Sequence, residues 1–459
     1  MMRDFRLSEL APALRARQVG KDVIIAGVST DSRQHLSGGL FVALEGEHFD
    51  GHNYVNAAVD AGAVAALVRR QIDCVLPQLV VENTQQALGR LGAFNRRDFS
   101  GRIVAITGSN GKTTAKNLIS AVLSCKGKTL ATAGNFNNEI GLPLTLLRLQ
   151  KGHQFAVLEM GAARAGDIAW LSSLARPDVA VLLNAMPAHL QGFGSVSEVA
   201  SAKAEIYDSL GEGGIAIINA DQTFARHWRS RARKAVVLDY GIEQPAAIRA
   251  THISIRGSAG MSFVASTPAG DIPVALKLPG LHNISNALAA IAVGIACDVS
   301  LADISAALAS VDPEPGRLSV SCGVGGCQLI DDCYNANPGS VRAAIDLLVK
   351  CEGQRTLILG AMRELGPDTQ TLHAEIGVYA REQGVHRLWG VGPELAVAVD
   401  RFGDGGRYFE DREAATAALP GEFGPEDTVL IKGSRGAAME QVLQALTSEW
   451  TPVNKQAES

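Results

Sequence analysis

The chain has 459 residues, 47% of them apolar and 5% aromatic, enough for roughly three domains of ordinary size and well beyond a small stapled scaffold. Its formal charge of −5 provides no basic field for duplex nucleic acid or an anionic membrane, so a small anionic ligand has to be held by local arginines and loop amides. No run reaches the roughly 18 uncharged apolar residues of a membrane helix, and the N-terminal stretch lacks a continuous apolar signal core. The seven scattered cysteines suit free thiols in a reducing compartment, and Cys322, Cys327 and Cys333 fit no usual zinc spacing. A cytoplasmic monomer with neither membrane nor nucleic-acid partners is expected.

Residues 1–82 read as a small α/β domain with short strands at VIIAGVST, LFVAL, AALV and LVV and one helix near Tyr54 to Gly62. Two polar segments in it, STDSR at 29 to 33 and FVALEGEHFDGHNY at 41 to 54, carry groups able to hold a sugar or a diphosphate. Ordinary turn chemistry accounts for the same residues equally well.

Residues 83–313 form the second expected block, opened by a helical pattern from Thr84. Strands at IVAIT, FAVLE (155 to 159), VAVLL (179 to 183), IAIIN (215 to 219) and AVVLD (235 to 239) alternate with helical patterns, the signature of βαβ units and a mainly parallel sheet. Ser195 and Glu198 make a capping box for a helix carrying Ala200 to Leu210. The prolines and glycine of Asp312-Pro313-Glu314-Pro315-Gly316 end this block in a hinge or linker. Residues 314–459 then alternate again through QLIDD, TLILG, HRLWG and TVLIK, which predicts a Rossmann-like third domain. The expected fold is thus α/β in three domains: a small N-terminal α/β domain, a central P-loop ATPase-like domain with a mainly parallel sheet, and a C-terminal Rossmann-like domain.

The strongest chemical signal is IVAITGSNGKTTAKNLIS at 103 to 120, a buried strand that breaks into a glycine loop and opens a helix. Gly108 and Gly111 let the backbone approach phosphates, the N–H groups of Ser109, Asn110 and the first helical turn face anionic oxygens, Lys112 reaches the β/γ-phosphates, and Thr113, followed by Thr114, offers a hydroxyl to Mg²⁺. The standard pattern has four residues between its glycines, whereas here only Ser109 and Asn110 intervene. Glu159 closes the FAVLE strand, at the sheet edge where doubly wound folds bind ligands, and reads either as a second Mg²⁺ ligand or as a strand-end carboxylate. His189 leaves the next strand. Lys203, on the capped helix, reads as a solvated lysine on spacing alone; converted to a carbamate by carbon dioxide, it would become an anionic oxygen ligand.

TGSNGKTT at 107, GNFNNEIGLP at 134, LEMGA at 158, NAMPAHL at 184, AKAEIY at 202, PGLHNISNALAA at 279, PGR at 315, DDCYNANPGS at 331, LGAMRELG at 359 and KGSRGAAME at 432 run colinearly through the chain. Together they resemble the Mur ligases of peptidoglycan precursor synthesis. FNNEIGLP with DDCYNANP resembles in particular the members that add D-alanyl-D-alanine to UDP-N-acetylmuramoyl-tripeptide. The resemblance implies ATP and two Mg²⁺ ions, with Lys112 and Thr113 on the phosphates and first metal, Glu159 as a metal ligand, and His189 with a carbamylated Lys203 on the second. It places adenine and ribose contacts on Asn283, Arg317, Asp332, Tyr334 and Asn335, uridine diphosphate contacts on Ser29, Asp31, Ser32 and His52, and substrate-positioning groups on Asn137 and Asn138. One segment departs from the family's usual LGDMAELG: LGAMRELG has Ala361 in place of the acidic residue and Arg363 in place of a small one. The implied reaction is ATP-dependent amide formation through an acyl phosphate. The alternatives are another Mur ligase or a folylpolyglutamate synthetase-like ligase and, from a different class, a nucleotide-dependent switch or motor.

Overall fold

The computed structural model describes residues 4–187, 190–255 and 260–447. Its centre is a nine-stranded sheet in which Arg102–Thr107 lies between Phe155–Glu159 and Val179–Leu182, all parallel. Thr129–Ala131 adds one edge beyond Phe155–Glu159, and Ile215–Asn219, Val236–Gly241 and Ile248–Ile255 extend the other side, still parallel. These strands are near-continuous apolar runs because helices cover both faces. On one face the helices Lys112–Ser124 and Leu281–Ala296 bury Leu118, Ile119, Val122, Leu288 and Ile291 against Val104 and Val157. On the other, Ile168, Leu171, Val199 and Trp228 pack on Ala105, Ala156 and Ala180.

The parallel sheet ends in an antiparallel meander, Ile248–Ile255 to Met261–Thr267 to Gly270–Leu276, which the sequence reading did not include. Its signal is a period of two, with Met261, Phe263 and Ala265 buried on one strand and Ile272, Val274 and Leu276 on the next. The expected capping box is present in altered form: Ser195 Oγ accepts from Glu198 N and pairs with the Glu198 carboxylate, and the helix runs Val196–Lys203 before tightening to a 3₁₀ turn at Ala204–Tyr207.

N-terminal to this lies a five-stranded sheet ordered Arg17–Val19, Gln78–Val80, Ala63–Val68, Gly39–Val42 and Gly27–Ser29, parallel except for its first pair. The expected VIIAGVST strand is divided into Ile24–Ile25, paired with Phe5–Arg6, and Gly27–Ser29. Helix Thr84–Arg96 faces two ways. Ala87, Leu88 and Leu91 join the N-terminal core, while Asn95 Nδ2 donates to Leu146 O at 2.9 Å in the central part. The C-terminal sheet has six strands, ordered Ser319–Cys322, Gln328–Asp332, Asp427–Lys432, Gln354–Gly360, Arg387–Val391 and Gly406–Phe409, with only the first pair antiparallel.

Candidate nucleotide and ligation site

Three neighbouring parallel strands deliver the site from their C-terminal ends. Arg102–Thr107 runs into the glycine loop, Phe155–Glu159 ends on its carboxylate, and Val179–Leu182 runs into Asn184 and Met186. The chain turns to opposite sides of the central strand here, so a crevice opens between the connections.

The loop is tightly braced. Asn184 Oδ1 accepts from Asn110 N at 2.9 Å while its Nδ2 donates to Asn110 O at 3.0 Å, and Ser109 N donates to Asn184 O at 3.1 Å. Ser109 Oγ bridges the N–H and carbonyl of Met186. Gly111 has φ of 80°, and a Cβ there would lie 2.6 Å from Asn286 Oδ1, so both conformation and space demand glycine. Thr114, half-buried, follows in the first helical turn. Lys112 Nζ donates to Gly108 O at 2.8 Å and Ser109 O at 3.3 Å, and burial pulls its pKa below the ordinary lysine value against the attraction of Glu159.

Thr113 and Glu159 are both buried, and Thr113 Oγ1 donates to Glu159 Oε2 at 2.9 Å. Asn137 Nδ2 donates to the other carboxylate oxygen at 2.7 Å, while Asn138 Oδ1 caps the Gly141–Leu146 helix by accepting from Gly141 N at 2.9 Å. The C-terminal segment enters the same network. Arg317 Nη2 donates to Thr113 Oγ1 at 2.9 Å, and its guanidinium lies 3.9 Å from the centroid of the Tyr334 ring.

The linker is pinned rather than loose. Glu314 Oε1 accepts from Asn117 Nδ2 at 2.6 Å, and Gly316 N donates to Asp331 Oδ2 at 2.7 Å. Behind Tyr334, buried Lys432 pairs with Asp332 and donates to Asn335 O at 2.8 Å. Burial pushes the Asp332 carboxyl above its usual pKa, and Lys432 opposes that shift. Asn283 Oδ1 accepts from Asn286, the residue lying against Gly111, so it reaches the loop through one side chain.

Sequence reasoning did not assign Asn337 to the site, although it lies inside DDCYNANPGS. Its Nδ2 donates to Asn110 Oδ1 at 2.6 Å and its Oδ1 accepts from Asn110 Nδ2 at 3.3 Å, a reciprocal amide pair between glycine loop and C-terminal segment. The same Oδ1 caps helix Pro338–Leu348 by accepting from Ser340 N at 2.9 Å. An asparagine before Pro at a helix start is a capping signal that could have drawn attention to it. Asn184 likewise sat in a quoted motif without being assigned.

Lys203 ends its helix 2% exposed, and loss of water, with the charge of Lys112 added, lowers its pKa to about 7. His189 lies outside the described residues. Ser29, Asp31, Ser32 and His52 form a separate group on the N-terminal sheet. Ser29 Oγ and Asp31 close a local turn, the Arg33 guanidinium beside Asp31 holds its carboxyl down at about 2, and half-buried Ser32 sits between them. His52 is buried with both nitrogens engaged, Nδ1 with Asp50 Oδ1 at 2.6 Å and Nε2 accepting from Arg69 N at 2.8 Å. Among the described residues, no hydrogen bond or ion pair joins this group to the glycine loop.

Family models match along the chain: "Mur ligase family, catalytic domain" over residues 24–96, "Mur ligase middle domain" over 106–294 and "Mur ligase, glutamate ligase domain" over 316–435. The chain is 42% identical to UDP-N-acetylmuramoyl-tripeptide--D-alanyl-D-alanine ligase of Escherichia coli (strain K12), across 97% of this chain and 99% of that one. It is 33% identical to the protein of the same name from Bacillus subtilis (strain 168), across 96% and 97%. A crystal structure of MurF from Acinetobacter baumannii superposes with a TM-score of 0.91 at 34% identity, covering 96% of this chain and 98% of that one. That of MurF ligase from Thermotoga maritima in complex with ADP gives 0.81 at 30% identity, covering 91% and 96%. The chain belongs to the Mur ligase family.

Proposed function

We propose that this chain joins D-alanyl-D-alanine to UDP-N-acetylmuramoyl-tripeptide, using ATP, for peptidoglycan precursor synthesis. The observation that carries this reading is the 42% identity, over nearly the full length of both chains, to a ligase named for that reaction.

A carboxylate oxygen is too poor a leaving group for an amine to displace, so activation has to come first. The tripeptide's terminal carboxylate oxygen attacks the γ-phosphorus, the bond to the β–γ bridging oxygen breaks, and ADP leaves an acyl phosphate. The neutral amine of the dipeptide then attacks the acyl carbon and expels phosphate. Neither step requires a protein nucleophile; both require positioning and neutralised charge. Lys112 and the loop N–H groups do this for the transferring phosphoryl group, and Arg317, stacked on Tyr334, brings the C-terminal segment to the nucleotide. Asn283, Asp332 and Asn335 are the further nucleotide contacts in this reading.

The Thr113 hydroxyl and Glu159 carboxylate, 2.9 Å apart, are hard oxygen donors that suit Mg²⁺. When bound, the metal supplies neutralisation of phosphate charge. Lys203, buried with its pKa near 7, holds enough neutral amine to react with carbon dioxide, and the carbamate would join His189 in holding a second Mg²⁺. Residues 1–82 receive the UDP portion through Ser29, Asp31, Ser32 and His52, residues 83–313 bind ATP with Asn137 and Asn138 toward the substrate, and residues 314–459 complete the site. We place the enzyme in the cytoplasm as a monomer.

Purified protein given ATP, UDP-N-acetylmuramoyl-tripeptide and either D-alanyl-D-alanine or D-alanine should release phosphate with the dipeptide alone. Equal release with D-alanine, or none with either, would overturn the assignment.

A further inference from the structure

A second cavity, of about 430 Å³, lies between the N-terminal and central sheets. Its walls include two sheet edges, Gly27 and Val28 from the terminal strand of the five-stranded sheet and Leu130 from the terminal strand of the nine-stranded one. It sits at the N-terminal end of the central strands, beside Lys128 and His153. The nucleotide loop sits at their C-terminal end, and the five-residue strand Phe155–Glu159 puts about 16 Å between the two.

The lining has one charge sign. Among the described residues, Lys128 and Arg148 face it, no carboxylate does, and neither cation has an ion pair or side-chain hydrogen bond. His153 Nδ1 accepts from Gln150 N at 3.1 Å, so in the neutral ring the proton is on Nε2, which is left as a donor. Burial, and then the charges of Lys128 and Arg148, lower the pKa of His153, which keeps the ring neutral. Leu130, Leu144 and Leu147 supply the apolar part of the lining.

We infer that this cleft binds a phosphate monoester with an apolar body, at a site separate from the nucleotide loop. Two cations balance a dianionic head, the arginine fork and the His153 N–H donate to its oxygens, and the leucines cover the body. The size lies within the range of small-ligand sites, roughly 300–1,000 Å³.

Phenyl phosphate is the probe, titrated calorimetrically into the full chain saturated with ADP and Mg²⁺. One-to-one binding is expected, weakened about tenfold or more in K128A/R148A, with inorganic phosphate binding several-fold more weakly than the ester. Both replaced side chains are exposed, so the double variant should keep its fold; a thermal melt checks this for it and for an independent variant, His153→Phe, which removes the ring donor together with the Nδ1 acceptor of Gln150 N. Three results would overturn the site: no binding, binding unchanged in both variants, or binding abolished by ADP. Equal affinity for inorganic phosphate would overturn the apolar half of the claim.

Discussion

Arg317 Nη2 donates to Thr113 Oγ1 at 2.9 Å while that hydroxyl donates to Glu159 Oε2 at 2.9 Å, so the residue just past the linker is two hydrogen bonds from the buried carboxylate of the central sheet. A hydroxyl has one proton to give, and here Glu159 takes it, leaving the oxygen's lone pairs to accept from Arg317. The contact is charge-assisted, and the guanidinium is held in place by the Tyr334 ring. Arg317→Ala should raise the KM for ATP by about tenfold or more, from the roughly 1.5–3 kcal/mol of a hydrogen bond to a charged group. Arg317→Lys should recover little, because an ammonium cannot both stack and fork. Steady-state kinetics on both variants checks this; a lysine variant with parental KM would remove Arg317 from the nucleotide site.

Lys112→Ala should lower turnover by about a hundredfold to a thousandfold, the usual cost of one lost charge-stabilising group in a transfer site. Stability should fall only modestly: Gly108 O and Ser109 O lose their Nζ donor, but the Asn184 and Ser109 hydrogen bonds still brace the loop. Turnover assays alongside a thermal melt separate the two effects. Retained activity would mean that the loop is not the ATP site.

The Asn110–Asn337 pair allows a double-mutant cycle. Asn110→Ala, Asn337→Ala and the double variant should show a coupling of about 0.5–1.5 kcal/mol in ADP affinity, since each amide serves the other as both donor and acceptor. Strict additivity would mean that the two segments are joined elsewhere. Ser340 N loses its cap acceptor in Asn337→Ala, so part of the single-variant effect is helix stability, which the cycle cancels.

Lys203 gives a pH signature. Its folded pKa of about 7 lies below the roughly 10.4 of a free lysine, so between those values the unfolded chain binds a proton that the folded chain does not. Stability therefore falls as pH drops from about 10.4 to 7, and the penalty is fully present below that. In carbon-dioxide-free buffer, Lys203→Met should be more stable than the parent at pH 7 and lose the advantage toward pH 10. Parallel denaturation curves across this window would show that Lys203 is solvated. If the carbamate reading is right, Lys203→Ala should also be inactive and partly rescued by formate or acetate.

Most parallel strands of the central and C-terminal sheets were legible as apolar-rich runs bounded by turn residues, but the edge strands Thr129–Ala131 and Gly406–Phe409, three and four residues long, were too short to stand out. The meander from Ile248 to Leu276 was not legible, because its strands bury only alternate residues and leave those between them exposed or half-buried, so none forms a continuous apolar run. Within the site, the glycine loop was legible from its TGSNGKTT motif between strand and helix, and the place of Glu159 from its strand end, which left its role open between metal ligand and strand-end carboxylate. Asn337 was not, since an asparagine's role depends on what stands opposite, and Asn110 is 227 residues away in sequence. Lys203 shows the same limit: a lysine on a helix looks solvated until packing removes its water. The linker prolines announced a break in structure, but not that Glu314 between them and Arg317 beyond them would be fastened to the helix Lys112–Ser124.

The most direct test of the central claim follows one oxygen atom. Tripeptide substrate labelled with ¹⁸O in its terminal carboxylate, turned over with ATP and D-alanyl-D-alanine, should deliver one labelled oxygen to the released phosphate, because the carboxylate oxygen that attacked phosphorus leaves with it. Mass spectrometry of the phosphate reads the outcome. Phosphate free of label, alongside full product formation, would contradict activation through an acyl phosphate.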